Sequence, residues 1–193
     1  MILGYLILAH LIGDFILQPE SLVKLKMKSV KGTLLHVFIH FIVGVAILAP
    51  FITHGYKWLI LIIFAICFMH FVIDEAKINY ELKHDKKVKP FIIDQSLHLL
   101  TILVAYFFVG TIQFTLPNIP YYKIYTNINF VMFFLLLIFS TAVIDMYRYQ
   151  LRREKNANAK LILNSKKILK RIGVFAVIYA LFMFFALYAT KTF

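Results

Sequence analysis

The sequence predicts an all-α polytopic bundle of about six membrane-spanning helices, and three observations predict it. Of the 193 residues, 62% are hydrophobic and the mean hydropathy is +0.82, against the roughly 45–50% apolar content of soluble domains. The excess is spread along the chain in runs near the ~20 residues that cross the hydrocarbon. The runs show no period-two alternation. Of the two structures that satisfy every backbone polar group in lipid, helices therefore fit and a closed barrel does not.

The runs fall at about 2–18, 34–53, 57–76, 91–113, 128–147 and 172–190, within one transmembrane domain. The first is short and carries His10 and Asp14 with no basic region before it, which argues against a cleavable signal peptide. The connections 19–33, 77–90 and 148–171 hold 18 of the 21 Lys and Arg residues. By the positive-inside rule these three connections are cytoplasmic and both termini are outside. The formal net charge of +12 is then a matter of topology and anionic headgroups, and no nucleic-acid partner is expected. Segment 156–171 reads equally as a short interfacial helix or a solvated basic loop. Segment 114–127, with Pro117, Pro120 and three Tyr, reads as an external loop with an aromatic belt. The lone Cys67 excludes a disulfide framework and a thiolate metal site.

The chemistry lies in polar pairs inside the first four runs: His10 with Asp14, His36 with His40, His70 with Asp74, and Asp94 with His98. Each pair is spaced i, i+4, so both side chains leave one helix face a turn apart. Two pairs stand at the ends of runs that enter the cytoplasm and two at the starts of runs that leave it. All eight side chains therefore sit at one level. A single histidine in a span is ordinarily packed or hydrogen-bonded, but four pairs at matching depth are hard to obtain that way. Each carboxylate in a span costs about 2.5–3.5 kcal/mol on insertion scales, and Lys77 is the one Lys or Arg expected nearby.

Carboxylates and imidazoles on facing helices are how bundle metal sites are built. Imidazole and carboxylate without thiolate suit a divalent transition metal such as Zn, Fe or Mn, as one or two ions. Gln18, Lys77 and Gln95 stand beside the pairs as candidates to contact the ligands or a substrate, and Asp14, Asp74 and Asp94 are candidates for general base. Glu75, His84, Asp85 and His54 are expected to stand apart. Asp145 and Arg148 are expected to form an i, i+3 salt bridge.

Residues 1–113 thus read as a four-helix metal-site core and 114–193 as an accessory hairpin with a basic cytoplasmic loop. The core resembles a tandem repeat of two hairpins: His10 to His70 is 60 residues and His40 to His98 is 58. The function expected is a metal-dependent hydrolase acting on a lipid or other anionic substrate near the cytoplasmic leaflet. The alternatives are a non-haem iron lipid oxidase and a metal or proton transporter. A haem site is disfavoured, because ligands in i, i+4 pairs beside Asp do not suit bis-His ligation.

The runs AHLIGDFILQ, HVFIH, HFVID and FIIDQSLH, over roughly residues 5–105, resemble a family of small bacterial membrane proteins defined only as a domain of unknown function (DUF3307). The family pattern falls on His10, Asp14, Gln18, His36, His40, His70, Asp74, Asp94, Gln95 and His98. The resemblance implies a location in the bacterial inner membrane and brings no activity with it.

Overall fold

The computed structural model describes residues 1–109, 112, 114–156, 159 and 165–189. Every regular element among these is helical. They are α1 (Ile2–Phe15), α2 (Glu20–Lys28), α3 (Val30–Thr53), α4 (Leu59–Glu81), α5 (Val88–Val109), α6 (Pro120–Thr126), α7 (Ile128–Ile138), α8 (Ile144–Lys155) and α9 (Ser165–Ala189). A π turn over Phe139–Val143 joins α7 to α8 without a break. Thr141 Oγ1 donates 2.6 Å to Leu137 O in this turn. Such back-bonding to the preceding turn accompanies a locally widened helix.

Among the described residues, four helices are long and apolar enough to cross a membrane: α3, α4, α5 and the continuous rod Ile128–Lys155. A fifth span exists if α1 and α2 are taken as one broken element. The chain is therefore a polytopic helical membrane protein. The sixth span was expected at 172–190, where all but residue 190 lies in α9, and residues 157–158 and 160–164 of segment 156–171 lie outside the described residues. Large side chains stand outward, with Phe107 82% exposed and Leu61 and Phe64 also open. In water this would be an aggregating surface, and against lipid it is the ordinary outer face of a span.

The expected first span at 2–18 needs correction. α1 stops at Phe15 and the chain turns by 85° into α2. Fourteen residues rise about 21 Å, short of the ~30 Å hydrocarbon thickness. Pro19 is the cause: it has no N–H to continue the helix and holds Gln18 out of the helical region, and α2 begins immediately after it. The basic connection 19–33 is thus largely a helix. α2 lies against the start of α3 because Gly32 has no Cβ; one would strike the backbone of Leu25 and Lys26. That contact turns Leu22 and Lys26 inward.

α1 packs against α3, α5 and α7, and α3–α4–α5 close the bundle beside it. The half far from the basic connections is apolar, built on Ile2, Tyr5, Leu48, Phe51, Leu59 and Val109. An aromatic group closes that end. Phe114 packs edge-on to Phe51 and beside Tyr56 and Trp58, and Tyr5 stacks on Tyr125. The other half holds the polar side chains. There α8 reaches back across the bundle, where Glu154 Oε2 accepts the backbone N–H groups of Lys87 (3.0 Å) and Val88 (2.8 Å) and caps the first turn of α5. Asp145 pairs with Arg171 of α9 at 2.6 and 2.9 Å. The expected partner Arg148 is 3.9 Å away and mostly exposed.

With basic connections cytoplasmic, in a Cys67→Ala background a maleimide that cannot cross membranes should label Lys57→Cys in intact cells. It should label Lys83→Cys only after permeabilisation. The opposite pattern would invert the orientation.

Candidate metal centre

The ends of α1 and α4 and the starts of α3 and α5 meet at one level, and all eight side chains of the four pairs are buried there. Asp14 is the hub. Its Oδ1 lies 3.0 Å from His36 Nε2, 3.1 Å from His40 Nε2 and 3.5 Å from His70 Nε2. Its Oδ2 accepts from Gln95 Nε2 at 2.9 Å and stands 3.6 Å from His10 Nε2. His36 and His70 face each other Nε2 to Nε2 at 3.2 Å. Gly13 makes room for this convergence, since a Cβ there would overlap the His40 ring.

On the other side of His70, Asp74 Oδ2 lies 3.4 Å from His70 Nε2 and Asp74 Oδ1 lies 3.9 Å from His98 Nε2. His98 Nε2 is also 3.4 Å from Asp94 Oδ1. These last two atoms are fully buried and have no hydrogen-bond partner. Orphaned polar atoms are rare in native interiors and call for an explanation.

The three expected neighbours of the pairs are in contact with them. The Gln18 amide nitrogen is 3.1 Å from His36 Nε2. Gln95 also donates to Asp94 Oδ2 at 3.0 Å, and its Oε1 is 3.3 Å from His10 Nε2. Lys77 Nζ donates to Asp94 Oδ2 at 2.9 Å and lies over the Phe91 ring. His84 and Asp85 are exposed in the α4–α5 loop.

One residue was missed. Lys26 Nζ donates 2.6 Å to Asp74 Oδ2, with both side chains buried. The expectation that Lys77 is the one cation near the cluster is therefore corrected: two ammonium groups face three carboxylates. Composition hid Lys26 among basic-loop residues. The signal that could have found it is Leu22 and Lys26 at i, i+4, one face of a short helix starting after Pro19.

A metal ion fits these donors. Ligand atoms about 2.0–2.1 Å from one ion in a tetrahedron stand about 3.3–3.4 Å apart, and the His–Asp separations around Asp14 and between His98 and Asp94 run from 3.0 to 3.6 Å. Among the described residues, three groups offer donor atoms within 4.8 Å of one another: His10–Asp14–His40–His70, His36–His70–Asp74 and Asp74–Asp94–His98. The buried His and Asp residues can therefore hold a metal ion.

Removing one partner of a buried ion pair costs roughly 3–5 kcal/mol because the other charge is left alone. Lys26→Met should lower the thermal unfolding temperature of the detergent-solubilised protein, and Lys26→Met/Asp74→Asn should recover most of the loss. A single variant as stable as wild type would show the pair to be energetically idle.

Comparison with curated proteins and with solved structures gives no match for the chain. A family model described as a protein of unknown function (DUF3307) matches residues 2–120. That region is more than half of the chain and contains all eight donor side chains, and the chain belongs to this family.

Proposed function

We propose that the protein is a divalent-metal-dependent hydrolase working at the cytoplasmic leaflet, with one ion held by His10, Asp14, His40 and His70. The observation that carries this reading is the pair beside that set, His98 Nε2 and Asp94 Oδ1, which lie 3.4 Å apart, are fully buried and make no hydrogen bond to any other group. A purely structural network would satisfy them; a reaction centre leaves such groups free for a water or a substrate.

Charge balance favours one ion over two. Three aspartates and two lysines leave one negative charge with the imidazoles neutral. One divalent ion turns this to one positive charge, which a hydroxide or a substrate oxyanion neutralises. Two would leave three positive charges in a low-dielectric site. An ion held there would supply a water of lowered pKa and polarise a phosphoryl or acyl oxygen. His98 and Asp94 are placed beside that set to hold a proton, and Gln95 fixes the Asp14 carboxylate by donating to Oδ2. Lys26 and Lys77 pair with Asp74 and Asp94 and face incoming negative charge. A polar chamber lined by Asp14, Gln18, Lys26, Lys77, Asp94 and Gln95 leads from the cluster toward the basic end. The opposite half is the closed apolar core. A path to one side suits an enzyme and disfavours a transporter, which needs access to both.

One observation favours the iron oxidase as the second reading. A cavity of about 30 Å³ with mostly apolar walls, among them Leu6, Gly44, Ile63 and Cys67, adjoins His10, His40 and His70. It has room for a single small molecule such as dioxygen.

Elemental analysis of the purified protein tests both. Wild type should carry about one divalent transition metal per chain, lost in His40→Ala/His70→Ala and released by acid as the ligands are protonated. Gly13→Ala keeps every ligand but displaces the His40 ring, so it should bind the ion more weakly. Zinc or manganese supports the hydrolase and iron the oxidase. Absence of stoichiometric metal from wild type, before and after incubation with each ion, sinks both.

A further inference from the structure

We infer that an anionic membrane phospholipid reaches this centre sideways from the bilayer, through a groove between α4 and α5, with its phosphate at Lys89 and Lys77. The inference rests on the reaction centre proposed above and names its substrate class. The groove holds about 330 Å³ and its lining residues all come from these two helices. Ile73, Ala76 and Tyr80 form one wall and Pro90, Ile93 and Leu97 the other. Lys77 and Asp94 lie in its floor, and the same two residues line the polar chamber over the metal cluster. The groove and the chamber thus share a boundary made of one ion pair, 2.9 Å long.

The order of polarity along the groove identifies the occupant. Lys89 is exposed at the basic end, and Ile93 and Leu97 follow at 47% and 42% exposure. From Lys89 to Leu97 the helix rises about 12 Å, enough for a headgroup, the glycerol region and the first part of an acyl chain. Two ammonium groups against one carboxylate leave a net positive charge where a phosphate would rest. The Lys77 ammonium is already held against Asp94 and the Phe91 ring, so it needs no reordering to receive it. A water-soluble phosphate would gain nothing from the apolar walls. A zwitterionic lipid would gain less from the lysines, each worth about fivefold in affinity for an anionic headgroup.

The test uses the full chain in nanodiscs, a photoreactive phosphatidic acid and peptide mapping of the cross-links. Labels should fall on Ala76–Tyr80 and Lys89–Leu97, and phosphatidylglycerol should compete where phosphatidylcholine at the same load does not. Ala76→Trp, which fills the groove on an outward helix face, should lose most labelling. Lys89→Gln, which leaves the walls intact, should reduce it about fivefold. Labels spread over outward residues such as Leu61 and Phe107 overturn the proposal. So does competition by inorganic phosphate, which marks a soluble-anion site, or labelling unchanged in both variants. Metal content is measured on the same samples. Groove labelling without metal sinks the reaction centre and leaves the lipid site, whereas metal with scattered labels does the reverse.

Discussion

The Asp14 carboxylate is the point on which the bundle converges. It comes from α1 and touches His36 and His40 of α3, His70 of α4 and Gln95 of α5. Four helices are therefore registered against one another along the membrane normal by a single side chain. In hydrocarbon, helix faces slide past each other at little cost, because lipid is as apolar as the residues it replaces. A polar hub fixes the level at which they stop. The turn at Pro19 follows from the same constraint: α1 ends where its hub must be, short of the bilayer's full depth, and the chain folds away at once.

The hub is tolerable only because its charge is divided. Two of the three aspartates have an ammonium partner at 2.6 and 2.9 Å, and the third is surrounded by imidazoles and an amide. The lysines come from two different helices, Lys26 from α2 and Lys77 from α4. Each engages the Oδ2 of its aspartate, leaving the Oδ1 atoms of Asp74 and Asp94 toward His98. That division keeps the donor atoms facing inward while the countercharge stays outside them.

Most of the site was legible in the sequence because its geometry is local. The i, i+4 spacing sets the face of each pair, and distance from the span ends sets its depth; both survive folding unchanged. Lys26 was not legible, because its burial depends on an 85° turn and on α2 resting on Gly32, neither of which has a periodic signature. For the same reason the sequence showed only the near partner of Asp145, Arg148 at 3.9 Å, and not the closer Arg171, which α9 brings alongside from 26 residues away. The first span was overestimated because hydropathy continues through Ile16 and Leu17 although the backbone does not. The two hairpins also differ more than their matching pairs suggest, since α2 has no counterpart in the loop between α4 and α5.

The Glu154 cap carries an architectural consequence. The matched region ends at residue 120, yet α5, which presents Asp94 and His98, has the amides of Lys87 and Val88 at its start satisfied from residue 154. The second half of the chain is therefore a brace for the first, since it reaches over the bundle and pins the helix that forms one lip of the groove. A shorter protein built on the same four-helix plan would need an acidic side chain of its own in the α4–α5 loop, or that lip would fray open toward the headgroups.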